Sequence, residues 1–493
     1  MTKRFGAFTA LDNVSVKIPA GTVHALLGEN GAGKSTLVKC IMGFYQPTEG
    51  QLIVGDREVA IKSPRDAHTR GLGMVYQHFT LIPSLTATEN LVISRHDVPA
   101  IIDWKTEKAR LAEFLSRMPF RVPLDRPVSE LAAGEKQKLE ILKQLYLESR
   151  FLILDEPTSV LTPGEAEEVL GLLKGMAQAG DLTILMITHK FREVEAFAED
   201  VSVLRRGKLT GSGKAAELSR EALAAMMIGE KKVAAVAGRV GAPDPDKNVL
   251  VIDGLRIHDR TGLKTIAVDD LVVHAREIVG IAGVSGNGQK ELAEALGGQV
   301  TPDAGTISVE GDRYVGSRDE SREHRVRFIP EEPLRNACAP RMSVTENIGF
   351  RTFDETPSGT GVWLRPGRMR SFARQLIEAF GVKTASAAAP ISTLSGGNVQ
   401  RAVLARELSG EVDLLIVTNP CFGLDFSAVS EIRNRIVAAR NAGAAVLLIS
   451  EDLDEILELA DRILVMSEGK IVYETPRDGA NVTIIGQHMA GHH

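Results

Sequence analysis

Cysteine is nearly absent from this chain. Cys40, Cys338 and Cys421 are the three present among 493 residues, and they lie far apart. No C-x-x-C pair marks a zinc site, and no disulfide framework is visible. The economical reading is three reduced, buried thiols in a cytoplasmic protein. Long apolar runs are missing too. None approaches the ~20 residues that a membrane-spanning helix needs, so any work at a membrane requires other chains to supply the channel. The first residues, MTKRFGAFTALD, contain no signal-peptide apolar stretch. Nor is positive charge in excess: 58 Lys and Arg stand against 64 Asp and Glu, for a net charge of -6. That balance speaks against a nucleic-acid-binding surface. His488, His492 and His493 follow no metal-ligand pattern and read as a solvated tail.

What is present is an ordinary globular composition, 44% apolar and 25% charged. The length exceeds one hydrophobic core and calls for two or more domains. The most specific string is GENGAGKST, residues 28–36. It fits G-x-x-x-x-G-K-[ST] at Gly28, Gly33, Lys34 and Ser35. Glycines let backbone N–H groups approach phosphates with no Cβ in the way. Lys34 would reach the β- and γ-phosphates, and the Ser35 hydroxyl would coordinate Mg²⁺. Glu29, Asn30, Gly31, Ala32 and Thr36 complete the expected phosphate cradle. The apolar run VHALLG (23–28) reads as a buried strand, and STLVKCIMG (35–43) has helical periodicity. Strand, glycine loop and helix are the context this motif requires.

A second string, GVSGNGQKE (283–291), keeps the frame but carries Gln289 in place of the lysine. Other landmarks repeat with it. Gly28 matches Gly283 at an offset of 255, and Gln77 (MVYQ) matches Glu331 (FIPE) at 254. Leu131 (LAAGE) matches Leu394 (LSGGN) at 263, and Asp155 (FLILDE) matches Thr418 (LLIVTN) at 263. His189 (MITH) matches Glu451 (LISE) at 262. The offset jumps once, where the polar stretch ETPSGTG (355–361) reads as a loop insertion. The halves are expected to be homologous domains, 1–235 and 249–493, joined by a small, polar, Pro-bearing linker at 236–248. Apolar runs alternate with helical stretches in both. This predicts an α/β fold, with a parallel sheet covered by helices on both faces.

These landmarks, in this order, resemble the ATP-binding cassette family, and the resemblance spans nearly the whole chain. It implies two tandem P-loop NTPase domains. Each would have a mainly parallel core sheet, an antiparallel β subdomain and a helical subdomain. It implies ATP and Mg²⁺ as ligands. It also implies head-to-tail pairing, in which the signature helix of one domain faces the γ-phosphate held by the other. A helix N-terminus facing an anion is favourable physics. For the first composite site the resemblance assigns Lys34, Gln77, Glu156 and His189 to catalysis. Glu156 would polarise the attacking water and His189 would contact the γ-phosphate. Ser35, Gln77 and Asp155 would hold the metal. Ser395, Gly396 and Gly397 of LSGGN would close over the nucleotide. Phe5, in KRFG, matches the aromatic that stacks on adenine, although an edge-of-core phenylalanine would look the same.

The second composite site lacks this chemistry. Gln289 and Lys290 stand for the lysine and the metal-binding hydroxyl. Thr418 and Asn419 stand for the acidic pair, Glu451 for the histidine and Glu331 for the glutamine. The opposing signature, LAAGE, has Ala132 for serine. Gly283, Gly286 and Gly288 remain, which leaves two readings: nucleotide held without turnover, or a half that has kept only its fold. Asp425, in FGLD, matches the family's D-loop, where the first half has Thr162 in SVLT.

One competent and one degenerate cassette, with GVSGNGQKEL (283–292) and IIGQHMAG (484–491), are similar to importer ATPases for simple sugars and nucleosides, the nucleoside branch above all. That resemblance implies two transmembrane permease subunits docked near Gln77 and the helical region 80–130. It implies a substrate-binding protein outside, a peripheral place on the cytoplasmic face of the cell membrane, and no nucleic acid. It also implies another strand's worth of residues ahead of MTKRFG. The alternative is a soluble twin-cassette ATPase acting on ribosomes or DNA. Such proteins usually keep both sites competent and add a long basic or helical linker, zinc cysteines or an iron–sulfur module.

Overall fold

The computed structural model describes the chain except residues 7, 30, 77, 78, 96, 100, 119, 189, 230–236, 259–263, 357, 422, 423, 425, 490, 492 and 493. Two compact units result, Met1–Lys232 and Val233–His493.

The first unit is built on a six-stranded sheet in the order Lys208–Lys214, Asp200–Arg205, Val23–Leu27, Thr183–Ile187, Phe151–Asp155, Leu72–Val75. All neighbours are parallel except the edge strand Lys208–Lys214. The inner strands are continuous apolar runs because both faces are covered. On one face Leu37, Val38 and Ile41 of the helix Lys34–Ile41 pack against Leu26, Ile153 and Leu185. The other face meets Leu139 and Leu142 of the helix Ala133–Tyr146 and Val169 and Leu173 of Pro163–Gln178. Two antiparallel hairpins, Lys3–Phe5 with Phe8–Leu11 and Leu52–Val54 with Arg57–Val59, stand outside this sheet. Three helices, Ala87–Ile93, Trp104–Ser116 and Ala133–Tyr146, form the helical region between Leu72–Val75 and Phe151–Asp155. Thr86 and Glu89 start the first of them with a reciprocal capping box.

The second unit repeats the parallel core with Arg462–Ser467, Ile278–Ala282, Ala445–Ser450, Leu414–Thr418 and Val326–Ile329. Here the antiparallel strands are continuous with it, giving ten strands in one sheet. The long strands Asp244–His258 and Thr265–Ala275 join the core through a single register pair, Ala267 with Lys470. The stretch 355–361, expected to be a loop, contributes to a two-stranded hairpin instead. Gly359–Thr360 pairs with Trp363–Leu364, and the Arg365 N–H donates to the Ser358 carbonyl at 2.8 Å.

The expected linker, 236–248, has internal structure. Its last five residues, from Asp244, open the long strand. Ahead of them, the Ala237 N–H donates to Asn434 Oδ1 at 2.6 Å and the Val240 N–H to Asn441 Oδ1 at 2.9 Å. Arg440, only 1% exposed, donates to the carbonyls of Val240 and Gly241 at 2.9 and 2.8 Å and to Asp461 at 3.3 Å. Asp461 also accepts from the Ile278 N–H at 2.8 Å. A small polar sequence is thus held down by a buried guanidinium together with two asparagine side chains.

Removing that cation would take the donors from the Val240 and Gly241 carbonyls and leave half-buried Asp461 with the Ile278 N–H at 2.8 Å and Arg239 at 3.8 Å. Arg440→Met is therefore expected to lower the second unit's unfolding free energy by about 2–3 kcal/mol, measured by urea denaturation. Proteolysis across 237–243 should become faster. An unchanged midpoint would show that the anchor is dispensable.

Candidate functional site

The first phosphate loop begins where the strand Val23–Leu27 ends. Gly28 has φ 154, and a Cβ there would sit 2.5 Å from the Leu204 carbonyl oxygen. Gly33 has φ 107 and a Cβ would sit 2.9 Å from Leu11 Cδ2, so the hairpin strand Phe8–Leu11 leaves room only for glycine. Gly33 is also the N-cap of the helix Lys34–Ile41, and no side chain caps that helix. Its first-turn N–H groups meet the requirement for an anion site. Ala32 is buried, Thr36 is half-buried, and Gly31 and Ser35 are exposed.

Lys34 Nζ folds back into the loop and donates to the Gly28 and Glu29 carbonyls at 2.5 and 3.1 Å. Burial pulls its pKa below the ordinary lysine value, while the charges of Glu156, Asp155 and Glu29 oppose that shift. Asp155 is the last residue of its strand, in register with Ile187. Glu156 leaves the strand in the left-handed region, φ 50, with its N–H on the Ile187 carbonyl at 2.9 Å. For a residue with a Cβ this conformation is uncommon and characteristic of functional sites. One cation, two carboxylates and an uncapped helix end suit a polyphosphate with a divalent cation.

Gln77, His189, Asn30 and Asp425 lie outside the described residues, but the flanks of two of them are anchored by acids to which the sequence gives no clue. Buried Glu193 accepts from the hydroxyls of Thr158 and Thr188, the latter at 2.7 Å, and so ties the turn after Glu156 to the residue before His189. Buried Glu140 binds Thr80, three positions after Gln77, through the hydroxyl at 2.8 Å, and pairs with Lys143 at 2.6 Å. Both acids sit on helices where charge normally marks a solvated face. Thr162 has a local use: it caps the helix Pro163–Gln178 in a box with Glu165. Phe5 is 43% exposed and meets Tyr45 edge-on at 5.2 Å. In the second unit Ser395 is the N-cap of the helix Gly396–Glu407. Its hydroxyl accepts from Asn398 Nδ2 at 2.8 Å rather than capping the helix, which leaves the Gly396 and Gly397 end without a side-chain cap.

The second phosphate loop keeps the left-handed turns at Gly286 and Gly288 and has different chemistry. Gly288 has φ 110, like Gly33. Gln289, 7% exposed, takes the lysine's place and donates to the Val284 carbonyl at 3.2 Å. Thr418 is 5% exposed and its hydroxyl has no hydrogen-bond partner among the described residues. Asn419 keeps the left-handed turn, φ 42, and accepts from the Glu451 N–H at 2.9 Å. Burial, together with the charge of Glu331, pushes the Glu451 carboxyl up to about 7 against a hydrogen bond from Ser285.

Residues 11–159 and 268–421 each match the sequence model described as ABC transporter. The chain belongs to the ABC transporter family. It is 39% identical to a glucose import ATP-binding protein of Haloferax volcanii, covering all of this chain and 94% of that one. It is also 39% identical to a nucleoside import ATP-binding protein of Lactococcus lactis subsp. cremoris, over 96% and 93%. A guanosine import ATP-binding protein of Bacillus subtilis is 36% identical over 99% and 96%. A solved archaeal ribosome recycling factor superposes with a TM-score of 0.65 over 96% of this chain and 90% of that one, at 19% identity. That likeness concerns the fold alone and does not favour a ribosomal role. The chain is an ABC-type ATPase with two tandem cassettes.

The raised carboxyl of this ABC protein has a measurable consequence. Between 4.5 and about 7 the unfolded chain releases the Glu451 proton while the folded chain retains it. Stability is therefore fully present below 4.5, falls as pH rises through that window, and stays lower above it. Glu451→Gln is expected to stabilise the protein by roughly 2–3 kcal/mol at about pH 8, and by less than half of that at about pH 5.5. Urea denaturation at both values tests this; an equal effect at both would contradict it.

Proposed function

We propose that this chain is the ATP-hydrolysing subunit of a membrane importer for nucleosides or simple sugars, with hydrolysis at one composite site. The observation that carries the reading is the asymmetry between the two loops. Lys34, Asp155 and Glu156 face a glycine loop in one unit, and Gln289, Thr418 and Asn419 occupy those positions in the other. Full-length similarity to import ATP-binding proteins supports it. Identity to the glucose and nucleoside relatives is equal, so the preference for nucleosides rests on GVSGNGQKEL and IIGQHMAG.

In this reading residues 1–235 form the competent domain and 249–493 the degenerate one. Lys34 and the loop N–H groups of residues 28–36 hold the phosphates, and Phe5 stacks on the adenine. Glu156 orients water, His189 contacts the terminal phosphate, and Gln77 links Mg²⁺ and water to the neighbouring helical region. Ser395, Gly396 and Gly397 complete the site. The donor set of Ser35, Gln77 and Asp155 suits Mg²⁺, which when bound neutralises phosphate charge. Phosphoryl transfer needs mainly positioning and charge stabilisation, and these side chains supply both. The partners are two permease subunits and, through them, an extracytoplasmic binding protein. The chain itself sits peripherally on the cytoplasmic face.

Glu156→Gln should bind ATP yet lose turnover by about a hundredfold or more, whereas Asn419→Gln should change turnover little. Comparable losses in a steady-state ATPase assay would defeat the one-site reading. An affinity pull-down from gently solubilised membranes is expected to recover two multi-spanning permeases. Recovery of ribosomes or DNA-repair proteins without a permease would overturn the importer role.

A further inference from the structure

The residues that lengthen the second repeat build an unusual surface. The hairpin of Gly359–Thr360 and Trp363–Leu364 turns at Gly361, φ 57. At its tip Val362 is 91% exposed, Trp363 77% and Leu364 55%. Single exposed apolar side chains are normal on a protein surface, but three consecutive ones at a loop tip call for a partner.

Beyond the tip the chain turns basic. Arg365, Arg368, Arg370 and Arg374 are all exposed, and no acid occurs from 359 to 375. Among the described residues none of the four forms an ion pair, and Arg370 donates only to the Pro366 carbonyl, at 3.3 Å. The acids just upstream are already engaged, Asp354 with Arg318 at 2.7 Å and Glu355 with Arg322 at 2.8 Å. Three of the arginines crowd the start of the helix Pro366–Ala379, the end where the helix dipole disfavours cations. The sequence therefore carries a feature that folding alone opposes. It does so in a chain whose net charge is -6.

We propose that the hairpin 359–364 and Arg365, Arg368, Arg370 and Arg374 form a contact surface for the anionic headgroup layer of a phospholipid membrane. The charge is complementary: guanidinium groups bind phosphate oxygens in bidentate fashion. The apolar tip suits the same layer, because tryptophan partitions to the membrane–water interface. The rest of this acidic protein would be repelled by anionic lipid, so adhesion is local and orients the second unit. The inference rests on the reading that the chain works at a membrane, but its test needs no permease.

Trp104 and Trp363 are the two tryptophans, so Trp104→Phe leaves Trp363 as the sole reporter in the full-length chain. In flotation with phosphatidylglycerol–phosphatidylcholine vesicles the protein should bind, and with phosphatidylcholine alone it should not. Trp363 emission should shift to shorter wavelength and be quenched by brominated lipid tails. Arg365→Gln with Arg368→Gln should weaken partitioning on the order of tenfold or more, and Trp363→Ser should abolish the lipid-dependent shift in a parallel assay that reads Trp104. ATP turnover in solution should be unchanged in both variants. The proposal fails if anionic vesicles do not bind, or if these substitutions leave binding intact. It also fails if Trp363 is shielded by co-purified permease but never quenched by lipid, in which case the importer reading stands. Vesicle binding without permease recovery would instead sink the importer reading alone.

Discussion

The first unit is organised around one half-buried ammonium. Lys34 is drawn into a loop whose carbonyls it bonds, and burial depresses its affinity for the proton. Such a cation is tolerable only where negative charge converges on it. Asp155 and Glu156 supply that charge from the end of the strand Phe151–Asp155, one strand removed from Val23–Leu27, and Glu29 from the loop itself. A polyphosphate adds more charge of the same sign. The carboxylates in turn gain from the lysine, whose positive charge offsets the repulsion between two adjacent acids at a strand end. The three groups therefore form an electrostatic unit, and losing one removes the physical reason for the others. The second unit fits this logic. Gln289, Thr418 and Asn419 are all neutral, and two of the three have found internal hydrogen bonds. The unpartnered Thr418 hydroxyl and the raised Glu451 carboxyl are what the replacement leaves over.

The backbone did not change with the chemistry. Gly288 keeps the φ of Gly33, and Asn419 keeps the left-handed turn of Glu156. The N–H groups of Glu156 and Asn419 bond the equivalent carbonyls, Ile187 and Ile449, at 2.9 and 2.8 Å. These turns are imposed by the parallel strands from which they spring, whose residues are almost fully buried. A sheet packed on both faces maintains its loop geometry whether or not the loop holds anything, and degeneration is confined to side-chain chemistry.

This explains which features could be read in the chain alone. Buried parallel strands are apolar runs such as FLIL and LLIV, and a glycine loop between strand and helix has few alternatives. Lys34, Asp155 and their replacements were legible because each stands beside such a run. Glu140 and Glu193 were not, because a buried acid on a helix looks like a solvated one until its threonine partners come into contact through the fold. The 236–248 stretch has the composition of a linker, and its structure depends on Arg440, about 200 residues away. The joining of antiparallel and parallel strands into one ten-stranded sheet hangs on the single pair Ala267 and Lys470, which carries no local signal.

The second unit concentrates buried charge elsewhere. Glu407, 1% exposed, lies in the signature helix Gly396–Glu407 and pairs with Arg351 at 2.8 Å and Arg406 at 2.7 Å. Burial alone would raise its carboxyl, and the two arginines outweigh this and hold it below the ordinary value. Arg406 continues to the carbonyls of Ala337 and Asn347 at 2.7 and 3.3 Å. Buried ion pairs of this kind contribute little net stability compared with an apolar core, but they satisfy their partners in one geometry only. The constraint fixes the helix against residues 337–351, and with it the direction in which Gly396 and Gly397 emerge. A unit with Gln289, Thr418 and Asn419 in its own loop region thus still holds this helix and its glycine start in one geometry.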